Sequence, residues 1–340
     1  MKYCIFSSNI PNSDDEVFQL HGNIYSLYPC KEKQYLEDYI VFFEGIIYNL
    51  KEIKEMVNVT DDVDIEVILV KLFEKYGDKI INILDGAYSI VIINKKGEIT
   101  LFRDIDGLEN LYYYRKGDSF VISNTIKDIT KFIKPEVNVD ILPKYFMIGH
   151  VYDERTFLKD IFQVKVYEVL KYIASKWTSS VLCPDFLYLP LNDKRLKDED
   201  VENEIEKILT NRLKFLIDRF AGDKINTLSG GTDSSLIQYI LKKLGYNKSY
   251  CANVQNYGMD AEYSRGVAHH LDSNHEIVEM SIDDLLKSLV RGIGYCEFPN
   301  VFVGEMKLNY MCSTINERRN DDLPILGFDG TGAEHILGYS

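Results

Sequence analysis

Residues 225 to 235, Ile-Asn-Thr-Leu-Ser-Gly-Gly-Thr-Asp-Ser-Ser, bring together the residue types that can hold a phosphate chain. Gly230 and Gly231 allow a tight turn and a close approach to a ligand, so N–H groups at the start of a following helix can point at phosphate oxygens. Ser229, Ser234 and Ser235 add hydroxyl donors. Asp233 follows the opposite charge logic: beside a polyanion its carboxylate makes sense with a divalent cation between them, and Mg²⁺ with its oxygen ligands fits that role. An ordinary strand-to-helix turn with a serine cap uses the same residue types, and a short motif alone does not separate the two.

The flanking sequence supplies the elements that must position these residues. A short apolar strand precedes the loop, and Leu236, Ile237, Ile240, Leu241 and Leu244 recur after it at helical spacing, with Gly245 where a C-terminal cap belongs. The pattern predicts a helix over about Val201 to Phe220, a strand over Ser249 to Val254, a helix over Glu262 to Leu271 and a strand over Glu276 to Met280. This alternation predicts a parallel α/β domain with its ligand at the carboxyl ends of the strands.

The first half reads differently. Tyr39 to Phe43, Ile46 to Tyr48, Ala87 to Ile93, Ile99 to Phe102, Leu111 to Tyr114 and Phe120 to Ser123 are strand-like, and strands resume through Phe162 to Lys176. Helices are predicted over Ile65 to Tyr76 and Ile141 to Met147. Together these predict an antiparallel α+β domain of two packed sheets over residues 1–183, with a linker at 184–200 and the second domain at 201–340.

With 340 residues, 46% hydrophobic and 27% charged, the chain has the balance of a folded two-domain protein. A formal net charge of −14 argues against a nucleic-acid or anionic-membrane surface, since both require basic patches. No transmembrane-length apolar run and no signal-peptide core is present, which predicts a cytoplasmic protein. The six cysteines form no Cys-x-x-Cys pair and are expected to be reduced. His269 and His270 lack metal-ligand spacing to a cysteine or acid cluster, and a solvated helix face explains them.

The Ser-Gly-Gly-x-Asp-Ser pattern resembles the loop of the ATP pyrophosphatase superfamily, whose members cleave ATP between the α- and β-phosphates to activate a carboxylate or similar oxygen as an adenylate. No Gly-Lys-Ser or Gly-Lys-Thr follows, so the kinase-type phosphate loop is disfavoured. The two halves together resemble the asparagine synthetase family, a glutamine amidotransferase domain of the N-terminal-nucleophile type followed by an ATP pyrophosphatase domain. The segments that carry this likeness in the first half are Phe43 to Asn49, Leu84 to Ile90 and Leu101 to Tyr113. In the second half they are the glycine loop, Asp260-Ala261-Glu262 with Val267-Ala268, Glu297-Phe298-Pro299 and Gly330 to Tyr339.

The resemblance implies ATP contacts at Leu228, Ser229, Gly230, Gly231, Asp233 and Ser234, with Val254 and Gly330 near adenosine and Mg²⁺ held by Asp233 and Glu334. The family's Gly-Glu-Gly-Ala-Asp-Glu motif is here Gly330-Thr331-Gly332-Ala333-Glu334-His335, with Glu334 in place of the metal-binding aspartate. A working glutaminase of this type needs cysteine as its mature first residue, whose free α-amino group is the base for its own thiol. Here the nearest cysteine is Cys4, the family's oxyanion-stabilising Asn-Gly is Glu44-Gly45, and its substrate-binding glutamate is Ile46. The expectation is therefore an AMP-forming amide ligase that joins a small-molecule or peptide carboxylate to an amine without glutamine hydrolysis, as in β-lactam and lasso-peptide macrolactam synthetases. In family members a helical region after the second motif supplies a catalytic lysine, whereas this sequence stops at Ser340, so no catalytic residue is assigned. The alternatives are a nucleotide-binding protein that is noncatalytic or needs a partner chain to complete its C-terminal region, and a glutamine-hydrolysing asparagine synthetase proper.

Overall fold

The computed structural model describes residues 3–7, 18–28, 35–36, 38–149, 151, 153–182, 198–255, 258–297, 303–321 and 323–330. By its internal contacts the chain divides into two compact units, Met1–Leu191 and Asn192–Ser340. Among the described residues no helix is long and apolar enough to cross a membrane.

In the first unit the chain runs through β1 (Cys4–Ser7), β2 (Phe18–His21), β3 (Ile24–Ser26), β4 (Tyr35–Leu36) and β5 (Tyr39–Ile47) into α1 (Leu50–Met56) and α2 (Ile65–Tyr76). It continues through β6 (Gly86–Asn94), β7 (Ile99–Arg103), β8 (Tyr112–Lys116), β9 (Ser119–Ser123), α3 (Ile126–Ile129) and α4 (Leu142–Ile148). The last strands are β10 (Ile161–Gln163), β11 (Glu168–Ile173) and β12 (Lys176–Val181). Two antiparallel sheets result, ordered β10-β8-β9-β1-β3-β2 and β12-β11-β7-β6-β5-β4.

Tyr3, Ile5, Phe42, Val91, Leu101, Phe120 and Ile122 fill the space between the two sheets. The second sheet turns Val41, Tyr88, Ile90 and Phe102 outward onto Ile68, Leu69 and Leu72 of α2. The first sheet turns Cys4, Phe6 and Val121 outward onto Ile126 and Ile129 of α3. With cover on both faces, β1 and β6 are buried almost throughout, which explains why they read as continuous apolar runs rather than alternating ones. Each fully buried aliphatic or aromatic side chain contributes about 1.5–3 kcal/mol.

Two of the expected strands, Tyr39 to Phe43 and Ile46 to Tyr48, are one strand, β5, paired with β6 along its whole length. Gly45 makes that continuity possible: its φ is 112°, and a Cβ there would stand 2.0 Å from the Ala87 carbonyl oxygen. The Arg103-Asp104-x-x-Gly107 segment also has a structural role. Buried Asp104 accepts the backbone N–H of Leu108 at 2.8 Å and of Glu109 at 2.9 Å, closing the turn after β7.

The second unit contains α5 (Asp198–Arg219), β13 (Asp223–Thr227), α6 (Thr232–Lys243), β14 (Lys248–Val254), α7 (Asp260–His270), β15 (Asn274–Met280), α8 (Ile282–Cys296), α9 (Val303–Glu317) and β16 (Ile325–Phe328). Its four strands are parallel in the order β15-β14-β13-β16. Ile225, Tyr250, Ala252 and Val278 pack on Met311 and Ile315 of α9. On the other side Phe328 joins Leu213 and Ile217 of α5 and Ile240 and Leu241 of α6. His275 bridges the layers, its Nδ1 3.0 Å from Ser249 Oγ and its Nε2 3.1 Å from Ser264 Oγ, so one ring ties β14, β15 and α7 together. The expected linker falls at 184–200, of which residues 184–197 lie outside the described residues; α5 begins at Asp198.

Candidate functional site

Chain order runs β13, β14, β15 to one side, and β16 then returns to the other side of β13, which creates a crevice outside the carboxyl ends of β13 and β16. The loop from Leu228 to Gly231 stands there. Leu228 donates its backbone N–H to the Tyr250 carbonyl at 2.8 Å, continuing the β13–β14 ladder to the loop's edge. From below, Asn226 donates through Nδ2 to the Ser234 carbonyl at 2.9 Å, pinning the first turn of α6 to the strand that feeds it. Within the loop Ser229 Oγ and Ser234 Oγ lie 3.0 Å apart, the Ser229 N–H is donated to Ser234 Oγ at 3.2 Å, and Ser235 Oγ donates to the Gly231 carbonyl at 2.7 Å.

Gly231 is the N-cap of α6 and offers no side chain to the first N–H groups of the helix. Those groups have no partner within the helix and carry its positive end. The two loop glycines are required for different reasons. Gly230 has φ 85°, and a Cβ on it would come within 2.5 Å of Tyr263 on α7, so the fold itself demands glycine there. Gly231 has φ −73°, open to any residue, and a Cβ would meet only Ser229 Oγ at 3.5 Å, an ordinary contact. The fold makes no demand for glycine at 231, which lines the cavity where a ligand's close approach would make one.

The cavity measures about 470 Å³ and is lined by Leu228, Ser229, Gly231, Asp233, Ser234 and Gly330 among the residues expected from sequence. Gly230 stands behind the loop against α7. Val254 is fully buried at the end of β14 and is outside the described lining of the cavity. Glu334 and Thr331 lie outside the described residues. Further lining comes from Tyr250, Cys251 and Ala252 in the middle of β14, from Asp260, from Glu305, Lys307 and Met311 of α9, and from Asp329. Sequence reasoning did not mark Lys307 or Asp329 as site residues. Lys307 belongs to no local motif and Asp329 stands just before the Gly330 segment; the parallel strand order brings α9 and the end of β16 to the loop.

Asp233 Oδ1 is buried and has no hydrogen-bond partner among the described residues. A buried carboxylate oxygen left so costs free energy unless a cation satisfies it. Mg²⁺ fits: it binds through one or two carboxylates and keeps most of its waters, so the lack of any cluster of three or more His, Cys, Asp or Glu among the described residues does not count against it.

The first unit presents a different picture around Cys4. Its thiol lies in β1, which is hydrogen-bonded to β3 on one side and β9 on the other, and it packs beneath α3 with Ile126 and Ile129. Burial there pushes the thiol well above its ordinary range, which disfavours the thiolate a nucleophile needs. Neighbouring Tyr3 points into the inter-sheet core and donates its hydroxyl to Ser89 Oγ at 2.9 Å. Glu44 and Gly45 lie in the middle of the β5–β6 ladder, opposite Ser89 and Tyr88.

A glutamine amidotransferase domain model matches residues 29–181 and an asparagine synthase model matches residues 226–338. The two matches, in this order, support membership of the asparagine synthetase family. It is 27% identical over 330 residues to the Methanocaldococcus jannaschii protein named "Putative asparagine synthetase (glutamine-hydrolyzing) 2", covering 89% of this chain. The chain spans 60% of the length of that relative. Among solved structures it is similar to the glutamine phosphoribosylpyrophosphate amidotransferase from B. subtilis, at 12% identity and TM-score 0.33 over 81% of this chain and 59% of that one. It is also similar to the glutamine-dependent NAD+ synthetase from Acinetobacter baumannii, at 15% identity and TM-score 0.31 over 54% of this chain and 34% of that one.

Proposed function

We propose that this protein is an ATP-dependent amide ligase that activates a carboxylate by adenylation and passes the acyl group to an amine, without hydrolysing glutamine. The observation that carries this reading is the cavity at the start of α6, where Gly231 leaves room that the fold does not require and Asp233 Oδ1 is buried without a partner among the described residues. The amides at the start of α6 and the hydroxyls of Ser229 and Ser234 orient the phosphates. Leu228, Ala252 and Met311 give the cavity an apolar wall suited to a nucleobase.

In the first step a carboxylate oxygen bonds to the α-phosphorus of ATP as the bond to the bridging oxygen breaks and pyrophosphate leaves. In the second the amine nitrogen bonds to the acyl carbon, AMP departs with the oxygen that linked them, and the nitrogen releases a proton. Asp233, with Glu334, would hold Mg²⁺, which when bound offsets charge on the departing pyrophosphate. The chain's own part is to bind, align and shield the phosphates. A thiol buried under α3 supports the absence of a glutaminase step, since ammonia release from glutamine requires an accessible thiolate.

Exchange of labelled pyrophosphate into ATP tests the reading, with Mg²⁺ and a panel of aspartyl and peptidyl carboxylates. Carboxylate-dependent exchange is expected. Its absence across the panel removes the ligase claim.

A further inference from the structure

The cavity wall poses an electrostatic problem. Asp233, Asp260, Glu305 and Asp329 set four carboxylates around a space read here as a polyphosphate site, and among the described lining residues Lys307 is the one basic side chain. A wall of that sign repels a triphosphate unless fixed or bound cations offset it. A bound divalent metal would supply part of the offset, and a fixed cation of the protein can supply more.

Lys307 is built to supply it. It projects from α9 with its side chain only 16% exposed, so the methylene stem is packed and the ammonium is confined to the cavity. The Asp260 carboxylate accepts a hydrogen bond from Nζ. Asp260 is the first residue of α7, where the positive end of the helix favours its charge and makes it a stable anchor. An ammonium has three donors, and the bond to Asp260 uses one.

We infer that Lys307 is a phosphate-binding residue of this cavity, its ammonium contacting the phosphate oxygens of bound nucleotide, and that Asp260 is the positioning residue that aims it. The inference rests on the reading of the cavity as a nucleotide site. The Lys307–Asp260 pair keeps the wall's cation in place, and with nucleotide bound the ammonium bridges Asp260 and the phosphates. A lysine suits this role better than an arginine because a compact charge can be shared between two oxygen groups at different angles.

The test compares ATP, which carries the phosphates, with adenosine, which does not. Affinities are measured on the full chain with Mg²⁺, by calorimetry for ATP and saturation-transfer NMR for adenosine, for the unsubstituted protein, Lys307→Met and Lys307→Arg. Lys307→Met is expected to lose roughly tenfold or more in ATP affinity, the loss typical of removing a charge-assisted hydrogen bond, while adenosine affinity stays within about twofold. Lys307→Arg is expected to recover most of the ATP affinity. Parallel loss for both ligands, or no loss for ATP, shows the pair to be structural only and overturns the inference. Failure of the unsubstituted protein to bind ATP overturns the nucleotide reading as well, and is told apart because it needs no substitution.

Discussion

Gly330, just beyond β16, lies directly against Asp233 on the first turn of α6. A Cβ on Gly330 would stand 2.7 Å from the Asp233 Cβ and 2.8 Å from the Ser234 backbone nitrogen. The two site segments, almost a hundred residues apart in sequence, are therefore in van der Waals contact at the residue proposed to hold the metal. Gly330→Ala is expected to displace the start of α6, at a cost of about 1–3 kcal/mol for overpacking, and to weaken ATP binding by roughly tenfold or more. Urea unfolding and calorimetry on the same preparation check both effects. An alanine variant with unchanged ATP affinity would show that the second segment does not shape the site.

Gly231 gives the opposite expectation. Its backbone angles and surroundings accept a methyl group, so Gly231→Ala should cost no more than about 1 kcal/mol, the difference between glycine and alanine at an N-cap. Its methyl would nevertheless occupy space the phosphates need, and ATP affinity should fall by roughly tenfold or more. A variant that is folded, as stable as expected and still binds ATP normally would argue that the cavity's occupant sits elsewhere.

Cys4 is expected to behave as a packing residue. In the native protein its thiol should react with iodoacetamide at mildly alkaline pH at least about a hundred times more slowly than in the urea-unfolded chain, because burial disfavours the thiolate. Glutamate release from glutamine should be indistinguishable between the unsubstituted protein and Cys4→Ala. A glutaminase rate that disappears on this substitution would contradict the proposed lack of glutamine hydrolysis.

His275 introduces a pH dependence in the second unit. Burial lowers its pKa from the ordinary 6.5, so on acidification the unfolded chain takes up the proton before the folded one does. The contribution of the neutral ring between Ser249 and Ser264 is complete above about pH 6.5 and is lost as the pH falls below that value. Its slope cannot exceed about 1.4 kcal/mol per pH unit, and partial exposure keeps it below that ceiling. Urea unfolding at about pH 7.5 and 5.5 should show the stability gap between the unsubstituted protein and His275→Gln narrowing at the lower pH. A constant gap would mean that the ring is protonated equally in both states.

Much of this was legible in the sequence because the informative signals were local. Period-2 alternation, or a buried apolar run between turn residues, marked β6, β7 and β9, and the spacing of Ile68, Leu69 and Leu72 marked α2. Ser229, Gly231, Asp233 and Ser234, singled out as a candidate phosphate loop by residue types confined to one turn, do line the cavity at the start of α6. What escaped notice was nonlocal. Lys307 and Asp329 enter the cavity only through the strand order, in which β16 returns to the far side of β13. The split reading of β5 failed because Glu44-Gly45 looks like a break until the left-handed Gly45 is seen to fit against Ala87. Val254, set near adenosine by the resemblance alone, is buried at the end of β14 and is outside the described lining of the cavity.

The central claim is that the turn between β13 and α6 grips a nucleoside triphosphate with a metal ion at Asp233. Titration calorimetry of ATP into the folded full chain, with and without Mg²⁺, and repeated on Asp233→Asn, tests it most directly. Saturable binding that strengthens with Mg²⁺ in the unsubstituted protein, and loses that strengthening in Asp233→Asn, is the expected result. Heats indistinguishable from dilution in both conditions would contradict the claim at its root.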